Sequence, residues 1–355
     1  MYRNLSKIFN DNTLFDLFAS FSSDQWLELY RLSVEQGLIA IIWDRVQTYI
    51  NEEKPDSEHQ PPRSLKIKWA LAAENISRQY TKRKELSDEF AQMMAREGIK
   101  CYCMKGLVLS MCYPKPSLRE SGDFDCWMGD SFDKANKIAI ANGAKFDPHD
   151  YRHSLILYRG LTIENHQYFL PIRGNARNKS LERYLQSVAP SDKLIEGTSI
   201  YYTSAQFHAL FIILHMLQHF LYESITLRHM LDWANFVNAE KENVNWAEFN
   251  EKCAEAGARR FVEALNCICV RHLGMNIENT QLVVDDRYAD KILNDTVQQA
   301  SQHISGITGL WAQRIGKVKN IIAQRWKFNQ IYDRNFLRSM FQSAYGIMFD
   351  RNVRL

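Results

Sequence analysis

The sequence predicts an α+β protein, with a compact sheet-bearing unit between two helical regions. Three observations predict it. Apolar residues recur at helical spacing through residues 13–96 and again from residue 205 onward. From Ile99 to Tyr202 that period gives way to short apolar runs bounded by Gly, Pro and Asp. Those runs follow the order strand, helix, strand, helix and then further strands.

The first region reads as helices. Ser22-Ser23-Asp24 offers N-cap chemistry before WLELYRLSVEQ, and Gly37 interrupts before LIAIIWDRVQTYI continues the pattern. Residues 54–63, KPDSEHQPPR, form a polar, Pro-rich linker. Residues 65–96, rich in Ala, Leu, Glu and Lys, read as one long helix ending near Gly98.

At Ile99 the period changes. IKCYCM is a short strand broken by Gly106, LVLSMCY has the length of two helical turns, and Tyr113-Pro114-Lys115-Pro116 stops it. DFDCWM is the second strand, and Asp130 is placed to cap the helix SFDKANKIAIAN, which ends at Gly143. AKF, HSLILY and LTIENHQYF are strands, the last two joined by Arg159-Gly160 as a hairpin. After a polar stretch with a helical piece near SLERYLQSV, GTSIYY reads as a final edge strand. This order describes an α/β or α+β unit of roughly 100 residues.

Thr203-Ser204-Ala205-Gln206 has the signature of a capping box opening AQFHALFIILHMLQHFLY, and three further helical segments follow. The end of the chain is basic, with Arg314, Lys317, Lys319, Arg325, Lys327, Arg334 and Arg338 interleaved with aromatics such as Trp326 and Phe328. That pattern fits amphipathic helices with solvated basic faces, or a surface for an acidic partner.

Composition narrows the class. With 355 residues, 46% of them hydrophobic, the chain can bury a large core and divide into two or three units. A net charge of +3 argues against wholesale coating of nucleic acid. The seven cysteines include no CxxC pair, and several lie in apolar runs, as buried reduced thiols of a cytoplasmic protein do. The first residues lack the apolar core of a signal peptide. The most apolar long run, Ala205 to Tyr222, contains His208, His215 and His219, which are expensive in lipid, so it reads as a buried helix rather than a membrane span.

The chemistry concentrates between Lys105 and His166. Residues i and i+2 of a strand share a face, so Asp123 and Asp125 project together while Phe124 and Cys126 turn inward. Two like charges that close repel unless a cation sits between them, and oxygen ligation suits Mg²⁺ or Mn²⁺. Glu164, in a later strand, adds a third carboxylate. A DxD pair alone also fits a strand-end turn with solvated acids. At Lys105-Gly106 a strand runs into a Gly and then a helix, an arrangement that accepts phosphate or simply makes a tight turn. No P-loop or dinucleotide-binding glycine motif occurs. Arg119 is either a fork for a phosphate or a structural partner for Glu120 or Asp123. His166 shares the Glu164 strand face, where it touches substrate or serves structure. His215 and His219 are spaced i, i+4, but HMLQH lacks the glutamate of a zinc-protease helix. Arg228 and Asp232, also i, i+4, read as a helix-surface salt bridge.

At these residues the chain resembles the uncharacterised nucleotidyltransferase family of the DNA polymerase beta-like superfamily. The resemblance rests on Lys105-Gly106, YPKPSLR, DFD followed by apolar residues, and IENH. It extends to the segment DQWLELYRLSVEQGLIAIIWDRV and to the downstream helix with two histidines followed by a Leu-Arg…Asp helix. It departs from the wider superfamily in having Leu107 after Gly106 and a longer gap to Asp123.

The resemblance implies a polymerase-beta-like core over residues 97–202, an N-terminal helical region over 1–96 and a C-terminal helical domain over 203–355. It implies transfer of a nucleoside monophosphate from an NTP to an acceptor by a two-metal mechanism. In that scheme Asp123, Asp125 and Glu164 hold Mg²⁺ or Mn²⁺, and Glu164 assists deprotonation of the acceptor. Lys105, Gly106, Arg119 and His166 face the nucleotide. The acceptor, whether a small molecule, RNA or protein, stays open. So do the alternatives of a toxin-like enzyme modifying RNA or protein and of a non-catalytic binding module.

Overall fold

A computed structural model describes residues 8, 9, 11–173, 175–300 and 324–332 of the chain. The N-terminal part is helical: α1 (Asp11–Ala19), α2 (Ser23–Glu35), α3 (Ile39–Glu53) and the 34-residue α4 (Arg63–Arg96). Ser22 opens α2 with a capping box, in which its hydroxyl accepts from Gln25 N and the Gln25 side chain accepts from Ser22 N at 2.8 Å. Gly37, at φ 67°, turns the chain out of α2.

The sheet that follows has six strands: β1 (Cys101–Cys103), β2 (Phe124–Trp127), β3 (Lys145–Asp147), β4 (His153–Tyr158), β5 (Leu161–His166) and β6 (Ile200–Tyr202). Their order is β3-β4-β5-β2-β1-β6, so GTSIYY does form an edge. β2 runs parallel to β5 and antiparallel to β1, while β1 runs parallel to β6. Between the strands lie α5 (Leu107–Ser110), α6 (Phe132–Ala141) and α7 (Ala176–Val188). After the sheet come α8 (Ala205–Tyr222), α9 (Leu227–Glu240), α10 (Trp246–Ala256), α11 (Arg259–His272) and α12 (Ala289–Ala300). This is the mixed α+β architecture that the strand and helix order predicts.

The pleat sorts side chains between two cores. Cys101, Cys103, Phe124, Cys126 and Ile163 face a core completed by Phe90 and Met94 of α4 and Ala135 and Ala139 of α6. Tyr102 and Trp127, which alternate with them, join a larger core with Phe207 and Phe211 of α8 and with the other terminal helices. Asp125, Glu164 and His166 share the alternation of Trp127, so they project toward the side that α8 covers.

Several local expectations change. The helix after Gly106 is one turn, not two, because the chain leaves it through a turn that prepares Pro114 and Pro116. The cap of α8 is Ser204, whose hydroxyl accepts from Phe207 N at 3.1 Å. Thr203 is drawn instead to the buried His208 ring. Asp130 lies in a short 3₁₀ turn, and Ser131 occupies the N-cap of α6 without a side-chain bond. β5 stops at His166 because the backbone N–H groups of Phe169 and Leu170 turn away to the buried Glu182 carboxylate.

No described helix is long and apolar enough to cross a membrane. All seven cysteines are free, and all but Cys112 are buried. Of the basic C-terminal stretch, residues 324–332 are described and the rest lies outside the described residues. Lys327 is not on a solvated face: it is fully buried, paired with Asp295 at 2.6 Å and donating to Phe220 O at 2.9 Å.

Candidate active site

The β1–α5 turn and the start of β2 build the site. Gly106 adopts φ 54° and ψ −100°, a conformation that side chains resist, and a Cβ there would meet Asp123 O at 3.3 Å. That close approach sets the Lys105-Gly106 turn against the aspartates. Lys105 Nζ lies 2.8 Å from Asp125 Oδ1 and donates to His215 Nε2 at 3.1 Å. A cavity of about 200 Å³ opens here, lined by Lys105, Gly106, Asp123 and Asp125 on the sheet side and by His215, His219 and Arg228 on the helical side.

Parallel pairing of β2 with β5 sets Asp125 opposite Glu164 and Trp127 opposite His166. His166 Nε2 then reaches Asp125 Oδ1 at 3.2 Å and Glu164 Oε2 at 3.4 Å. Ligand atoms of Asp125, Glu164 and His166 lie within 4.8 Å of one another. Asp123 precedes β2 and is half-buried on the cavity wall, whereas Glu164 and His166 stand behind Asp125, off that wall. The neighbouring His153 ring stacks on His166, with centroids 5.1 Å apart.

Charge at this point is held by protein cations. Burial works against ionised Asp125, yet Lys105 and His166 keep its carboxyl well below the usual carboxylate range. Burial and the Asp125 charge push Asp123 up. Burial lowers and the two carboxylates raise the His166 pKa, with a net upward shift. Two carboxylates, an imidazole and a like-charge conflict at Asp123 suit a divalent cation, which would take over the neutralising role of Lys105 and the His166 proton. Strand register sets the His166 nitrogen beside the carboxylates of Asp125 and Glu164, next to the oxygen donors expected from the sequence.

Arg119 lines the same cavity, and its structural partner is Asp232 rather than Glu120 or Asp123. Its Nε and Nη2 donate to the two oxygens of Asp232 at 2.6 and 2.8 Å, and Nη1 donates to Gly106 O at 3.2 Å. Three of its five N–H donors are thereby engaged. Tyr113 adds its hydroxyl to Asp232 Oδ1 at 2.6 Å. Arg119 and Asp232 are 3% and 4% exposed, so Asp232 is not half of a surface bridge. Arg228 stands 3.9 Å from it and donates to Glu120 O. The signal for Asp232 was available: an acid set within Met230, Leu231, Trp233 and Ala234 on a helix must find a buried partner.

The helical side completes the site. His208 Nε2 donates to Met104 O at 2.8 Å, with its pKa pushed down to about 4 by burial. This anchors the strand end one residue before Lys105. Burial and the Lys105 charge likewise keep His215 neutral, so its Nε2 accepts from the ammonium.

Comparison with known proteins agrees with this architecture. The model of the family described as uncharacterised nucleotidyltransferase matches residues 22–274, and the chain belongs to that family. Among curated proteins and solved structures, no match is found. Membership brings nucleotidyltransferase chemistry to the chain as a class, and the match runs from α2 through the end of α11.

Proposed function

We propose that this protein transfers a nucleoside monophosphate from an NTP to an acceptor hydroxyl and releases pyrophosphate. The observation that carries the reading is the convergence of Asp123, Asp125, Lys105 and Gly106 on one cavity, with Glu164 and His166 directly behind Asp125. The sheet-bearing unit of residues 97–202 supplies these groups, and α8 and α9 close the cavity over them.

Asp123, Asp125, Glu164 and His166 would hold the divalent cations. When bound, such ions activate an attacking hydroxyl and stabilise the charge that develops on the leaving pyrophosphate. The imidazole donor shifts the preference from Mg²⁺ toward Mn²⁺, since Mg²⁺ favours oxygen ligands. Lys105, now paired with Asp125, would bind the triphosphate as a point charge. α5 is too short to carry a useful dipole, so phosphate binding rests on Lys105 and the Gly106 turn. Arg119 positions that turn through Gly106 O and is itself fixed by Asp232.

Isothermal calorimetry with each of the four NTPs and Mn²⁺ or Mg²⁺ tests the reading. Metal-dependent binding of at least one NTP, abolished in Asp123→Ala with Asp125→Ala, is the expected result. No binding by the unaltered chain, or binding indifferent to those substitutions, would sink it.

A further inference from the structure

In the reading above the sheet side supplies the metal-binding set, Asp123 included, and a phosphate-binding turn, and the proton acceptor is sought among the other groups that line the cavity. Glu164, the carboxylate expected to assist there, stands off the cavity wall with Oε2 beside His166 Nε2. Asp125 is engaged by Lys105 and His166. The opposite wall holds a different kind of group. His215, His219 and Glu223 follow at intervals of four along α8 and its C-cap, so they rise on one face of the helix.

Their hydrogen bonds define the tautomers. His219 Nδ1 lies 2.7 Å from Glu223 Oε2. An ionised carboxylate only accepts, so Nδ1 carries the hydrogen and the basic lone pair of the neutral ring sits on Nε2. Nε2 is the cavity-side atom: it lies 3.2 Å from His215 Nε2, which in turn accepts from Lys105, the partner of Asp125. His215 has its single ring lone pair engaged by the ammonium and is kept neutral by burial and by that charge. The His219 and His215 Nε2 atoms lie at hydrogen-bond distance, with the His215 lone pair already taken by the ammonium. With Nδ1–H held by Glu223, the His219 Nε2 lone pair is the one a hydroxyl entering the cavity can donate to.

We infer that His219 is the general base for the acceptor and that Glu223 is its positioning residue. This rests on the nucleotidyl-transfer reading above. The acceptor O–H breaks, its proton goes to His219 Nε2, and its oxygen bonds to the α-phosphorus. The bond from that phosphorus to the β-phosphate oxygen breaks, and pyrophosphate leaves with the electron pair. The imidazolium is held by the Glu223 carboxylate and returns its proton to water. His219 is 32% exposed and Glu223 65%, so the base stands at the cavity mouth with a path to solvent. Among the described residues, the charged and titratable groups that share its cavity are His215 on α8, Lys105, Arg119, Asp123 and Asp125 on the sheet side, and Arg228, His229 and Asp232 on α9, with Glu223 beside it at the C-cap of α8. The acceptor is an alcohol that presents its hydroxyl to His219 at the cavity mouth.

The test uses the full chain with Mn²⁺, α-labelled NTPs and whole-cell extract as the acceptor source, alongside calorimetry of NTP binding. His219→Ala should lower label transfer by about 100-fold or more, the scale of general-base catalysis, with NTP affinity unchanged. Added imidazole should restore part of the rate in His219→Ala and none in His219→Gln, whose side chain fills the space. Glu223→Gln should lose part of the rate. Full transfer by His219→Ala would overturn the assignment, as would a loss that imidazole does not rescue. NTP affinity falling in step with transfer would also overturn it, by making His219 a phosphate ligand. Unaltered chain that transfers no α-label would overturn the nucleotidyl-transfer reading itself, an outcome distinct from the other three.

Discussion

Replacing Asp232 by Ala should destabilise this protein strongly and loosen the Lys105-Gly106 turn, although Asp232 belongs to a helix outside the sheet. Its carboxylate accepts from Arg119 Nε, Arg119 Nη2 and Tyr113 Oη, at 2.6, 2.8 and 2.6 Å. Hydrogen bonds to charged groups are worth about 1.5–3 kcal/mol each, so three set a gross ceiling of roughly 4.5–9 kcal/mol. Desolvation of the ion pair consumes much of that. What remains visible in a single substitution is the penalty of a stranded buried charge, about 3–5 kcal/mol. Arg119 would keep only Gly106 O, and Tyr113 would lose its acceptor. Urea unfolding followed by fluorescence should show a loss of that size for Asp232→Ala and a similar loss for Arg119→Met. The double variant Arg119→Met with Asp232→Leu should recover most of it, because a buried pair replaced by apolar groups is often near neutral. Single losses under about 1 kcal/mol, the scale of an exposed pair, would refute the reasoning. A double variant as unstable as the sum of the singles would do the same.

Three further outcomes follow from the same geometry. Gly106→Ala should cost about 1–3 kcal/mol of backbone strain and weaken NTP binding measured by calorimetry, since its Cβ meets Asp123 O at 3.3 Å; unchanged binding would contradict the role of the turn. Burial opposes but Arg119 outweighs it in holding the Asp232 pKa below its usual value. Its stabilisation is therefore complete above about pH 3.9 and is lost as pH falls through the depressed folded value. Asp232→Asn should flatten the stability–pH curve in that acid window, and an unchanged slope there would count against the buried pair. Lys105→Met removes the ammonium that competes for Asp125, so Mn²⁺ binding without nucleotide should tighten while NTP binding weakens by roughly tenfold, about 1.4 kcal/mol; loss of both would place Lys105 among structural residues instead.

Much of the fold was readable because its signals are local. Ser22 caps where a cap was expected, Arg159-Gly160 joins β4 to β5, and β6 is an edge. The expected sheet elements are present, with shorter bounds where tertiary partners intervene. β5 ends early because Glu182, sixteen residues beyond His166, captures the next backbone N–H groups. At the site, the i, i+2 rule brought Asp123 and Asp125 to one cavity. It could not reveal His166 beside Asp125, which depends on the parallel register of two strands 41 residues apart. Nor could it reveal Asp232 as the partner of Arg119, 113 residues away, or His215 as the partner of Lys105, 110 residues away. Helical spacing showed that Asp232 and His215 lie on helices, but only packing decides which helix face meets the sheet.

The central claim is that the Asp123–Asp125 cavity transfers the α-phosphoryl portion of an NTP. Incubating the protein and Mn²⁺ with α-labelled or γ-labelled NTPs and a whole-cell extract tests it most directly. Label should move to an acceptor from the α position only, with pyrophosphate released in equal amount, and should not move with Asp123→Ala and Asp125→Ala together. Label moving from the γ position would make the protein a kinase and contradict the account.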